Sequence, residues 1–137
     1  MTQFEIGQEL APKTFTINRK LLIAYANASG DQNPIHQDET FAKSVGLPDV
    51  IAHGMLTMGR AIQVVTNWVG DPTAVIDYSV RMTRPVIVPN TAEGSVVSFT
   101  GKVSQINDDD TVQIDLGAVF GETKVLGLAK ATVRLAQ

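Results

Sequence analysis

The chain has 137 residues, 44% of them hydrophobic and 18% charged, which suits a single globular domain over residues 1–137 and excludes intrinsic disorder. A net charge of −3 argues against a nucleic-acid partner, which needs a basic face. With no cysteine and only two histidines, disulfides, cysteine-ligated metal centres, thiol nucleophiles and histidine-rich metal sites are excluded together.

Residues 1–10 lack the basic and apolar regions of a signal peptide, and no apolar run has the length of a membrane span. A cytoplasmic protein without membrane contact is therefore expected. Lys13 to Ile17 reads as a short strand. Asn18 to Ala28 reads as a helix, with Asn18 as its cap and Leu21, Leu22, Tyr25 and Ala28 as its apolar stripe. Gly30 stops it. A polar loop runs from Asp31 to His36, and Pro34 keeps that loop from continuing as helix. Asp38 caps a second, short helix that ends near Gly46.

Gly54 to Val69 is the most informative segment. Thr57, Arg60, Gln63 and Asn67 recur at helical spacing as one narrow polar stripe, so the rest of this helix must be covered. Gly70-Asp71-Pro72 ends it. Beyond Pro72 the period becomes two. Ala74, Ile76, Tyr78, Val80 and Met82 form one alternating set, and Val97, Phe99, Gly101 and Val103 a second. Val112, Ile114, Leu116, Ala118 and Phe120 form a third; Val125, Ala129, Ala131, Val133 and Leu135 form the last. Residues 107–110 and 121–123 read as turns between antiparallel neighbours. A helical half followed by a strand-rich half implies an α+β fold, with an antiparallel sheet curled around one long, mostly apolar helix.

The strongest chemical signal is Gly30-Asp31-Gln32-Asn33-Pro34-Ile35-His36. It resembles the G-D-x-N-P-[LIV]-H signature of MaoC-like hydratases. Ala52-His53-Gly54-Met55 and Val80-Arg81-Met82-Thr83-Arg84-Pro85-Val86 resemble further family motifs, although Met82 stands where the family usually has phenylalanine. The resemblance runs through the whole chain. Within the family it is most similar to the B subunit of the actinobacterial 3-hydroxyacyl-acyl-carrier-protein dehydratase. It implies a hot-dog fold and reversible hydration of trans-2-enoyl thioesters, or dehydration of (R)-3-hydroxyacyl thioesters, in fatty-acid metabolism. The carrier would be coenzyme A or an acyl carrier protein. Asp31 and His36 would be the catalytic pair, and no metal or cofactor is implied.

The chemistry suits these residue types. The C2 proton is weakly acidic and the C3 hydroxyl leaves poorly, so a base and an acid must be held together. A carboxylate and an imidazole on one rigid loop supply both. Asn33 is placed to fix that loop or to orient a catalytic side chain. Gly54 opens the apolar helix, where free backbone N–H groups and the helix dipole favour the negative charge that develops on the thioester oxygen. His53 reads first as a helix-start residue with local hydrogen bonds and second as a member of the substrate site. Arg60, Arg81 and Arg84 are either solvated charges or contacts for carrier phosphates. Some family members carry a serine two turns beyond His-Gly; here that turn holds Ile62, which cannot hydrogen-bond through its side chain.

Two other readings stay open. A hot-dog thioesterase often has an acid on its central helix, and residues 54–69 contain none. A non-catalytic acyl-thioester-binding subunit would have lost the acid–base pair, which this chain keeps. A lone hot-dog unit leaves sheet edges uncovered, so a homodimer or a heterodimer with a related chain is expected.

Overall fold

The computed structural model describes residues 4–134, so Leu135 of the last alternating set lies outside the described residues. Among the described residues six strands form one antiparallel sheet: β1 (Lys13–Ile17), β2 (Val75–Met82), β3 (Ser95–Ile106), β4 (Thr111–Phe120), β5 (Thr123–Lys124) and β6 (Leu126–Arg134). Their order is β1-β3-β4-β6-β2, with β5 paired to β4 beside this path. The helices are α1 (Arg19–Ser29), α2 (Glu39–Ser44), α3 (Gly54–Ala61) and α4 (Gln63–Val69). The chain adopts the expected hot-dog arrangement, in which α3 and α4 form the central helical run against the sheet. Among the described residues no helix is long and apolar enough to cross a membrane.

The alternation in β3 works as its sequence implies: Val97, Phe99 and Val103 are fully buried. Gly101 shares their face because a methyl group there would come within 3.1 Å of Val64 Cγ1 and 3.2 Å of Leu10 Cδ2. Glycine thus lets α4 lie close on the sheet. Val112, Ile114, Ala131 and Val133 are buried from β4 and β6. Ile76 departs from the pattern and is 50% exposed, because the β2–β6 register shifts between Val75 and Asp77.

Capping follows the predicted residues. The Asn18 side chain accepts the Leu21 N–H at 2.9 Å, and Gly30 ends α1 at φ +83°. The buried residues of α1 are Leu22 and Ala26, whereas Ala28 is exposed on the last turn. Asp38 accepts the Phe41 N–H at 3.1 Å and caps α2.

The central run has an irregular turn at Ile62, between α3 and α4. The Tyr78 hydroxyl, reaching in from β2, donates to the Met58 carbonyl at 2.7 Å, while the Ile62 N–H lies 3.3 Å from the same oxygen. A side chain inserted into the helical ladder weakens the bond it competes with. Burial pushes the Tyr78 hydroxyl up to about 12, so it stays a donor at physiological pH. The outward residues of α3 are Met55 and Gly59, and Thr57, expected in the polar stripe, is buried.

Residues 50–52 are held on two sides. The Ala52 N–H donates to the Val86 carbonyl at 2.9 Å, and the Val88 N–H donates to the Val50 carbonyl at 2.8 Å. Arg19 ties α1 to the same region through Asp49, at 2.6 Å, and the Val88 carbonyl, at 2.8 Å.

Candidate active site

The loop after α1 is rigid because its own polar atoms close it. The Asp31 N–H donates to Ser29 Oγ at 3.1 Å, and the Asp31 carboxylate accepts the Asn33 N–H at 3.2 Å. The Asn33 side chain in turn accepts the Ile35 N–H at 3.2 Å. Pro34 opens a one-turn 3₁₀ helix, Pro34–His36, rather than extending a plain loop. At that first position its missing N–H goes unneeded.

This turn delivers His36 inward, where the residue is 8% exposed. His36 Nδ1 lies 2.7 Å from the Ile51 carbonyl oxygen, and the Ile51 N–H donates to the Ile35 carbonyl at 3.2 Å. A carbonyl only accepts, so the shared proton sits on Nδ1 and the neutral ring keeps its lone pair on Nε2. The rings of His36 and His53 stack with centroids 3.9 Å apart. His53 Nε2–H donates to the Asp31 carbonyl at 3.2 Å, and the Tyr25 ring lies 4.7 Å away. His53 thus joins the start of α3 to the Asp31–His36 loop. Burial pushes its imidazole below the ordinary value of 6.5, against the opposing pull of the Asp31 carbonyl.

One donor atom each from Asp31, His36 and His53 falls within 4.8 Å of the others. Such a cluster invites comparison with a metal site. The two imidazoles are stacked, however, with planes 24° apart and centroids 3.9 Å apart, and a cation cannot lie in both of two stacked ring planes at once, as two nitrogen lone pairs would require.

A cleft of about 330 Å³ opens beside His36. Its lining includes Gly54, Thr57, Met82, Arg84 and an apolar wall from Ile51, Ala52, Pro85, Val86 and Val125. Gly54 begins α3, and among the described residues neither its N–H nor that of Met55 has a hydrogen-bond partner. Asp31 is exposed and within reach of the His36 ring. Asp31, Asn33 and His53 are not part of the cleft lining; Asp31 sits beside it, Asn33 braces the loop and His53 backs His36. Arg84 lines the cleft, whereas Arg60 packs over the Phe15 ring at 4.7 Å.

Two groups that line the cleft belong to no site motif of the sequence. The Ile51 carbonyl carries no side-chain signal at all. Thr57 carried one, since it follows Gly54 by three residues and so shares its helix face.

The family model described as a MaoC-like domain matches residues 2–117. The chain belongs to the MaoC-like family. Among MaoC-like relatives, the peroxisomal enoyl-CoA hydratase 2 of Arabidopsis thaliana is 41% identical over 87 residues, covering 58% of this chain and 28% of that protein. The 3-hydroxyacyl-thioester dehydratase X of Mycobacterium tuberculosis is 46% identical over 68 residues, covering 50% of this chain and 23% of that protein. Each match therefore spans about a quarter of the relative's length. A solved MaoC-like dehydratase superposes with a TM-score of 0.93 at 42% identity, over 97% of this chain and 41% of that chain. The ChsH1-ChsH2 complex of Mycobacterium tuberculosis is similar in fold, with a TM-score of 0.84 at 18% identity, over 98% of this chain and 100% of the chain matched.

Proposed function

We propose that this MaoC-like chain is a hydro-lyase that reversibly hydrates trans-2-enoyl thioesters and dehydrates (R)-3-hydroxyacyl thioesters, with Asp31 and His36 as its acid–base pair. The observation that carries the reading is the convergence of the two groups, with donor atoms within 4.8 Å, where His36 lines the same cleft as the free Gly54 N–H. Groups this close can share a single water that makes hydrogen bonds of about 2.8 Å to each. In the hydration direction that water loses a proton to the pair as its oxygen bonds C3. The C2=C3 electrons shift toward the thioester oxygen, where the Gly54 N–H and the α3 dipole meet the developing charge. The pair then returns a proton to C2, and no other reactant is consumed. The lone pair on His36 Nε2, left free by the bond to Ile51, supports a role as acceptor in this exchange.

The test is the loss of enoyl-thioester absorbance on a panel of 2-enoyl-CoAs of increasing length, with and without an acyl carrier protein. Asp31→Asn and His36→Ala are expected to lower kcat by about a hundredfold or more, with the melting temperature near that of wild type for the exposed Asp31 and lower, but still a cooperative transition, for the buried His36. Full activity in both variants would overturn the assignment. The names of the two curated relatives favour this chemistry over hydrolysis, and release of free CoA would instead revive the thioesterase reading. The chain fits the role of a B-type dehydratase subunit acting as a homodimer or beside a related, silent hot-dog chain. Among the described residues the outer edge of β2, which ends at the cleft residue Met82, has no neighbouring strand, and this supports a partner there.

A further inference from the structure

Thr57 is a polar residue of α3 that lines the cleft and that the proposed mechanism leaves unused. It is 4% exposed and lines the cleft with His36 and Gly54. Its hydroxyl has one partner among the described residues, the His53 carbonyl, at 3.5 Å. That oxygen already accepts the Leu56 N–H at 3.1 Å and the Thr57 N–H at 3.2 Å. A carbonyl oxygen has two lone pairs, so a third donor at this distance gains little. An ordinary helical threonine bonded back to its own helix would sit closer. The hydroxyl is thus a buried polar group whose donor capacity is nearly unspent, and such groups normally find a partner. The side available to it is the cleft.

Helix geometry says where that partner lies. Thr57 follows Gly54 by three residues, so the two share one face, and a helical side chain leans toward the N-terminus. The Thr57 hydroxyl therefore leans toward the helix end at which the Gly54 N–H is free. We propose that Thr57 is a second hydrogen-bond donor to the acyl thioester, gripping the carbonyl oxygen together with the Gly54 N–H. This inference rests on the hydro-lyase reading and deepens it. It also supplies a side-chain hydroxyl on the central helix, where Ile62 offers none.

The experiment compares wild type, Thr57→Val and Thr57→Ser on the 2-enoyl-CoA that wild type hydrates best, with melting temperature as the fold control. Valine keeps the shape and removes the hydroxyl; serine keeps the hydroxyl. The expected result is a kcat reduced by roughly tenfold or more in Thr57→Val, with a smaller change in KM, and near-complete rescue in Thr57→Ser. The melting temperature of Thr57→Val should not fall, because an under-used buried hydroxyl is replaced by a methyl group. If valine fails to fold, Thr57→Ala takes its place. Wild-type kinetics in the hydroxyl-free variant overturn the inference while leaving the Asp31–His36 reading intact. Equal impairment of the valine and serine variants also overturns it, since that outcome marks packing rather than hydrogen bonding. A wild-type chain inert on every enoyl thioester defeats the hydro-lyase reading and this inference together.

Discussion

Gly54 stands at the first position of α3, preceded by His53 at φ −60° and ψ 132°. That extended conformation is the one a residue before proline prefers, and proline is well tolerated at the first position of a helix. Gly54→Pro therefore removes the amide hydrogen with little demand on the backbone. Gly54→Ala keeps the hydrogen, and its added methyl meets Met82 Cε at 3.3 Å, the far end of a flexible side chain that is able to move. In enoyl-CoA hydration, Gly54→Pro is expected to lower kcat by about a hundredfold or more and Gly54→Ala by much less. Unchanged turnover in the proline variant would remove the Gly54 N–H from the mechanism. The candidate pair was legible at this scale because Asp31, Pro34 and His36 are close in sequence and their types suit proton transfer. The tautomer of His36 was not, because a backbone oxygen fifteen residues away determines it.

At the scale of elements, capping residues and alternation were legible because both are local. Asn18, Asp38 and Gly30 act on their own helices, and β3 keeps its period from Ser95 to Val103, where a register shift against β4 ends it. The failures lie where one element is altered by another. Tyr78 bonds the Met58 carbonyl where the central run becomes irregular, at Ile62, and the β2–β6 register shift turns Ile76 outward. That half-exposed isoleucine sits on a strand whose outer backbone groups have no neighbouring strand among the described residues. If a second chain covers this edge, Ile76→Lys should shift the solution mass from dimer toward monomer, as read by light scattering. A wild-type chain that stays monomeric throughout, alone and with candidate partners, would rule out the proposed assembly.

For the whole molecule, His53 connects stability to pH. Burial lowers its pKa in the folded chain, so the folded state holds the proton less tightly than the unfolded state does. Above 6.5 the ring is neutral in both states and its contribution is complete. As the pH falls below 6.5 the unfolded chain takes up the proton first, and stability declines until the lowered folded pKa is passed. Wild type should thus lose melting temperature on acidification more steeply than His53→Gln, and parallel profiles would contradict this. By itself the sequence determined the domain class, the antiparallel α+β pattern and the pairing of a carboxylate with an imidazole on one short loop. These depend on composition, period and neighbouring residue types. Only the tertiary structure decided that the Ile51 carbonyl sets the His36 tautomer, that His53 stacks behind it and that Thr57 faces the cleft. Each of these contacts joins residues that come together only when the 50–52 segment is held against 86–88 and α3 is seated on the sheet.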